Sequence, residues 1–127
     1  MGKAIPIKLA DGFESLTFAP NRQPDSTDIE SAFCTLSEFR EGGVYLAHFA
    51  GESAWERHPV GDELVMVCEG RTELTMIIDG DEVAHDLNTG ELIVVPADTW
   101  HRFRSDGVKL MAVTPQPSDH QAERPFP

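Results

Sequence analysis

From Ala32 onward, short apolar runs alternate with turn-forming residues, and the period inside the runs is that of a strand. Leu74, Met76 and Ile78 alternate with Glu73 and Thr75, and Val83, His85 and Leu87 alternate with Glu82, Ala84 and Asp86. Leu92 to Val95 is a continuous apolar run. The pattern predicts eight strands, over 32–39, 44–50, 63–68, 71–78, 82–87, 92–95, 101–104 and 108–114. Arg40-Glu41-Gly42-Gly43 reads as a hairpin turn with glycines where positive φ is needed, and Glu69-Gly70, Asp79-Gly80 and Asp106-Gly107 mark further turns. No segment carries a convincing helical pattern. An even run of short antiparallel strands predicts a sandwich or a small barrel.

The flanks differ. Residues 1–31 read as an arm, with an edge strand over Ile5–Leu9, a turn at Asp11-Gly12, an extended piece over Glu14–Phe18 and a polar surface loop over Pro20–Asp28. An arm too small for its own core is expected to pack on the 32–114 barrel or on a partner subunit. Residues 115–127, with Pro115, Pro117, Pro125 and Pro127, read as a frayed or strapped-down tail.

Composition narrows the function. A chain of 127 residues suits one domain. Ten Lys/Arg against 22 Asp/Glu give a net charge of −12, which repels nucleic-acid backbones and anionic membranes. An anionic small substrate stays open, because a local metal or arginine reverses the field inside a pocket. Cys34 and Cys68 sit in apolar runs and read as buried free thiols of a cytosolic protein, with a disulfide left open by their spacing. The N-terminus lacks the apolar core of a signal peptide, and no apolar run approaches about 18 residues. The expectation is a soluble, cytoplasmic protein.

Candidate chemistry gathers in two places. Glu56 and His58 share parity on an extended chain, as do Glu63, Val65 and Val67, and His101 shares parity with Phe103. Glu63 and His101 therefore point inward with apolar neighbours behind them. An unpaired inward carboxylate costs several kcal/mol, so it needs a metal, an arginine or a histidine as partner.

These two segments resemble the paired motifs of a small single-domain cupin. His58, four residues, Glu63, six residues and Gly70 match the back half of the first motif. Glu56 stands where that motif's first histidine belongs, and Gly51 lies one residue nearer than the pattern asks. Gly90, Pro96 and His101 match the second motif, with Asp98 in place of its glycine and Ser105 in place of its asparagine. The resemblance implies an all-β, double-stranded β-helix or jelly-roll barrel and a divalent ion (Fe, Mn, Ni or Zn) held by His58, Glu63 and His101, with Glu56 as fourth ligand. It also implies a homodimer, to which the apolar arm residues Ile5, Ile7 and Leu9 and exposed strand edges would offer surface.

Two functions follow from that resemblance. One is a metal-dependent enzyme on a small polar molecule, of dioxygenase, decarboxylase or isomerase type, with Glu56 as ligand or general base. The other is a metal-free or non-catalytic small-molecule-binding pocket, in which Glu56 turns out to Arg57, Arg102 or Arg104 and Glu63 is satisfied by His101 or His58. Of the other histidines, His48 reads as a core or rim residue, His85 as structural and His120 as solvated. Trp55 and Trp100 either cap the pocket or seal strand ends, and Arg102 and Arg104 point to solvent or to a partner.

Overall fold

A computed structural model describes residues 4–126, and it is almost entirely β. Two long strands form its spine. β5 (Glu63–Ile78) and β8 (His101–Pro115) run antiparallel, from Leu64 opposite Val113 to Met76 opposite His101. Each replaces two of the predicted short strands. Glu69-Gly70 and Asp106-Gly107 are not chain reversals but a shared bend, flanked by register shifts between Val67 and Glu69 and between Arg71 and Glu73. Gly70 has φ +85, and a Cβ there would stand 2.3 Å from the Gly107 carbonyl oxygen, so the close crossing requires a residue without one.

The remaining strands attach to this pair. β3 (Gly42–Glu52) lines the other edge of β8, and β2 (Phe33–Phe39) folds back on β3 as a hairpin. β6 (Asp81–Asn88) and β7 (Leu92–Val95) pair with the second and first halves of β5. β4 (Trp55–Arg57) meets β8 at a single pair, Glu56 opposite His101, and takes β9 (Asp119–Gln121) on its other side. β1 (Ala19–Arg22) lies parallel to β3. The interior between the strands is filled by Phe49, Val65, Val67, Leu74, Phe103, Val108 and Leu110, all buried. Each contributes roughly 1.5–3 kcal/mol by leaving water. Glu63 shares the inward face of Val65 and Val67, as its parity predicts.

Several expectations are corrected. A six-residue helix, α1 (Leu9–Glu14), replaces the predicted edge strand and turn, and the extended piece over Glu14–Phe18 does not form. Leu9 and Phe13 are one helical turn apart, and Phe13 is buried, with the Lys109 ammonium 5.7 Å from its ring. Six residues are too few to leave a periodic signature. Ile5 and Ile7 are exposed. The predicted loop over Pro20–Asp28 begins inside β1, whose parallel docking rests on Gly51. A Cβ on Gly51, at φ +110, would lie 2.2 Å from the Arg22 carbonyl oxygen. In the β2–β3 hairpin the positive φ falls on Arg40, at 51°, and not on Gly42 or Gly43. β6 pairs only with β5, and of the alternating residues Val83, His85 and Leu87 only Leu87 is buried. Cys34 and Cys68 are free and only half-buried.

Candidate metal centre

Glu56, His58, Glu63 and His101 converge at one end of the interior, with one potential ligand atom from each lying within 4.8 Å of the others. The backbone arranges this. Glu63 and His101 are the first residues of β5 and β8, Glu56 is the middle residue of β4, and His58 follows β4 directly. The two loops that carry them are tied together by Asp98 N–H donating to the His58 carbonyl at 3.0 Å and by Ala97 N–H donating to Asp62 Oδ1 at 2.8 Å. Asp98 holds the left-handed conformation, φ 61, that the glycine of the resembled motif would supply, a conformation aspartate tolerates better than most residues. Ser105, in the asparagine position, accepts from Gly107 N–H at 2.9 Å and donates to the Arg71 carbonyl.

The hydrogen bonds around the four side chains fix which atoms face inward. His101 Nδ1 lies 2.9 Å from the Thr99 carbonyl, which only accepts, so Nδ1 carries a proton. The Ser118 hydroxyl donates to Gln116 Oε1 at 3.0 Å and therefore accepts from His58 Nδ1 at 2.7 Å. Both rings thus turn Nε2 towards the centre. Thr114 Oγ1 donates to Glu63 Oε2 at 2.5 Å, and His120 Nε2 lies 3.2 Å from Glu56 Oε2. Each carboxylate is held by one oxygen and presents the other. Partners that tie down the far side of every ligand are the hallmark of a metal site.

The central atoms are crowded. His101 Nε2 is 3.0 Å from Glu63 Oε1 and 3.3 Å from Glu56 Oε1, and His58 Nε2 is 3.3 Å from Glu63 Oε1. The last contact is not directed as a hydrogen bond, and His58 Nε2 is a buried side-chain nitrogen with no partner. A nitrogen lone pair facing carboxylate oxygens is repulsive unless a proton or a cation stands between them. Without a cation the proton does so. Burial pushes the His101 imidazolium towards neutrality, but Glu56 and Glu63 outweigh it and raise the pKa to about 10. Burial likewise works against the ionised form of both glutamates. The interactions of Glu56 with His101 and His120, and of Glu63 with His101 and the nearby His58 ring, prevail and hold both carboxyls below their ordinary range. A divalent cation fits this donor set. Two imidazoles and two carboxylates make a formally neutral centre with it, and the cation would satisfy His58 Nε2 directly.

Beside the centre lies a cavity of about 170 Å³, walled by Phe33, Leu46, Phe49, Phe103 and Leu110. Glu56, His58 and Glu63 line it, as do Arg22, Tyr45, Thr114, Gln116, Ser118 and His120. Glu56 is the most open of the four candidates, its side chain 19 % exposed. It faces the histidines and not Arg57, Arg102 or Arg104, because Arg57 pairs with Asp98 and Asp119 while Arg102 and Arg104 pair with Glu52. His120 is not simply solvated, since its contact with Glu56 raises its pKa. The other expected residues lie elsewhere. His48 packs on Phe18 with ring centroids 4.7 Å apart, Trp55 is buried under the Arg102 guanidinium, and Trp100 lies under that of Arg57. The pattern of the chain gave no sign of Arg22, Ser118 or His120, which sit in segments that read as loop and tail.

Known proteins place this geometry in context. The chain is 32% identical over 84 residues to protein SchB of Streptomyces halstedii, a match that covers 66% of this chain and 52% of SchB. It is 38% identical over 72 residues to the uncharacterised protein YdbB of Bacillus subtilis (strain 168), covering 56% of this chain and 60% of YdbB. The chain thus spans little more than half the length of these curated relatives. Among solved structures, the hydroquinone 1,2-dioxygenase PnpCD in complex with Cd²⁺ and 4-hydroxybenzonitrile aligns with a TM-score of 0.59 at 16% identity, over 65% of this chain and 63% of that one. At that identity the likeness is one of fold. No helix among the described residues is long and apolar enough to cross a membrane. Residues 45–114, which carry both motifs and most of the spine, match the profile of the cupin domain, and the chain belongs to that family.

Proposed function

We propose that this cupin is a divalent-metal-dependent enzyme acting on a small polar molecule, with Glu56, His58, Glu63 and His101 holding the ion. The observation that carries the reading is the buried, unpartnered His58 Nε2, aimed at Glu63 while Ser118 fixes the other face of its ring. When bound, such an ion would supply Lewis acidity or a site for oxygen activation, the chemistry of dioxygenases, decarboxylases and isomerases. The apolar walls exclude water from the substrate. Glu56 closes the boundary between centre and cavity, and its Oε1, once released from the centre, is placed to take a proton as general base. Homodimer formation belongs to the same proposal, supported by Leu92 and Val94, both half exposed on one face of β7; a single-copy mass by light scattering would count against it.

The competing reading, a metal-free binding pocket, draws on the hydrogen bond that Glu63 already makes with His101. Elemental analysis of protein purified without chelator or nickel resin separates the two, followed by titration with Fe, Mn, Ni and Zn. We expect one ion per chain and oxygen uptake or turnover on a panel of small polar substrates, both lost in His101→Ala. A protein that ignores all four metals, or equal rates for wild type and variant, would end the enzymatic proposal.

A further inference from the structure

Arg22 has no place in the metal centre, yet it lines the same cavity. Its guanidinium lies between two aromatic rings, 5.0 Å from the centroid of Phe33 and 4.7 Å from that of Phe49. The rings hold its plane by cation–π contact and fix its direction. An arginine kept for structure alone normally spends its five N–H donors on carboxylates or carbonyls. Arg22 spends none on them, for among the described residues its side chain makes no hydrogen bond and no ion pair. Nor are its nitrogens sealed away, since His58 Nε2 is the buried side-chain nitrogen left without a partner. A flat set of donors therefore faces the cavity without a direct partner, the Glu56 charge acting on it only from beyond ion-pair distance. Its position is built into the backbone through β1, which can approach β3 closely because residue 51 is glycine.

We propose that Arg22 is the substrate anchor, and that the pocket takes a small monocarboxylate whose carboxylate group docks on the guanidinium while its other end reaches the metal centre. The inference rests on the proposed reading of this pocket as a small-molecule site. Planar bidentate recognition matches guanidinium to carboxylate. A dianion such as a phosphate monoester fits poorly, because Glu56 and Glu63 line the same cavity and Arg22 is the arginine that lines it. Size agrees: about 170 Å³ is well below the roughly 300–1,000 Å³ of pockets for drug-sized ligands. The apolar walls suit a hydrocarbon or aromatic body between the two ends.

Benzoate and its neutral isostere benzamide test this directly, with binding followed by calorimetry or NMR on the protein as purified and after chelation. Metal-free protein matters because a carboxylate can also bind a metal ion. Wild type should bind benzoate at least tenfold more tightly than benzamide in both states. Arg22→Gln should lose that preference, and Arg22→Lys should keep part of it, with thermal melts showing that both variants fold. Wild type that binds the two equally, binds neither, or shows a preference that survives in Arg22→Gln overturns the anchor. Metal content measured on the same samples keeps the two readings apart. Metal without carboxylate preference removes the anchor alone, and carboxylate preference without metal removes the metal reading alone.

Discussion

The pocket has a floor and a rim, and they are built differently. The floor is His58, Glu63 and His101, which are 3%, 3% and 0% exposed and stand on or beside the two spine strands. The rim is Arg22, Glu56 and His120, carried by the short strands β1, β4 and β9. Floor residues have their orientation imposed by hydrogen-bond partners: Thr99, Thr114 and Ser118 each fix one ring or carboxylate. Rim residues are held by one another or by aromatic faces, and they meet the cavity directly. In the proposed reading the buried floor would supply the metal ligands, and the more open rim would meet the substrate.

Both regions pair a histidine of raised pKa with a carboxyl of lowered pKa. In the floor, His101 is faced by Glu56, Glu63, the His58 ring and the Thr99 carbonyl, and its pKa is raised to about 10. A metal ion must displace that proton, so its apparent affinity should climb about tenfold per pH unit, close to a hundredfold between pH 6 and pH 8. Metal-free protein should show the converse in its melting temperature. The raised His101 pKa stabilises the fold fully below its ordinary value of 6.5, and this is lost as pH rises towards 10. The lowered Glu56 and Glu63 stabilise above their ordinary value of 4.5, and this is lost as pH falls through their folded values. The melting temperature should therefore peak between these ordinary values, and excess metal should move the peak upward. Metal affinity that is flat from pH 6 to pH 8 would remove the charged floor from the account.

Smaller effects test the orienting partners. Thr114→Val deletes the hydroxyl that holds Glu63 Oε2 while keeping the side-chain shape, and should weaken metal binding about tenfold, the lower end of what such partners contribute. His120→Ala, the equivalent loss on the rim, should change metal affinity by no more than about threefold, because Glu56 is one ligand of four and already partly solvated. Isothermal titration with Zn²⁺ on both variants reads the difference. Equal losses would erase the distinction between floor and rim.

The same division explains what the sequence made legible. Period-2 alternation and motif spacing place Glu63 and His101 on inward faces, because strand parity is a local property of the chain. The motif spacing likewise brings His58 and Glu56 to the same end. Arg22 and His120 obey no such local rule. Arg22 reaches the pocket only because β1 pairs with β3 across about thirty residues, in register Ala19 to Phe49 and Arg22 to Gly51. His120 does so because β9 pairs with β4, setting His120 opposite Glu56. Pairings between distant short strands leave no periodic trace, and Pro20 and Pro117 further disguise those segments as loop. The bend at Gly70 and Gly107 misleads in the opposite sense, since glycine after an acidic residue looks like a hairpin even inside a continuous strand.

Placing the rim on β1 and β9 has a consequence for redesign. Residues 19–22 and 119–121 flank one cavity from opposite ends of the chain, each as a short ribbon laid against the sheet. A library confined to these two ribbons would vary the cavity wall while the proposed metal ligands and the long strands β5 and β8 stayed untouched.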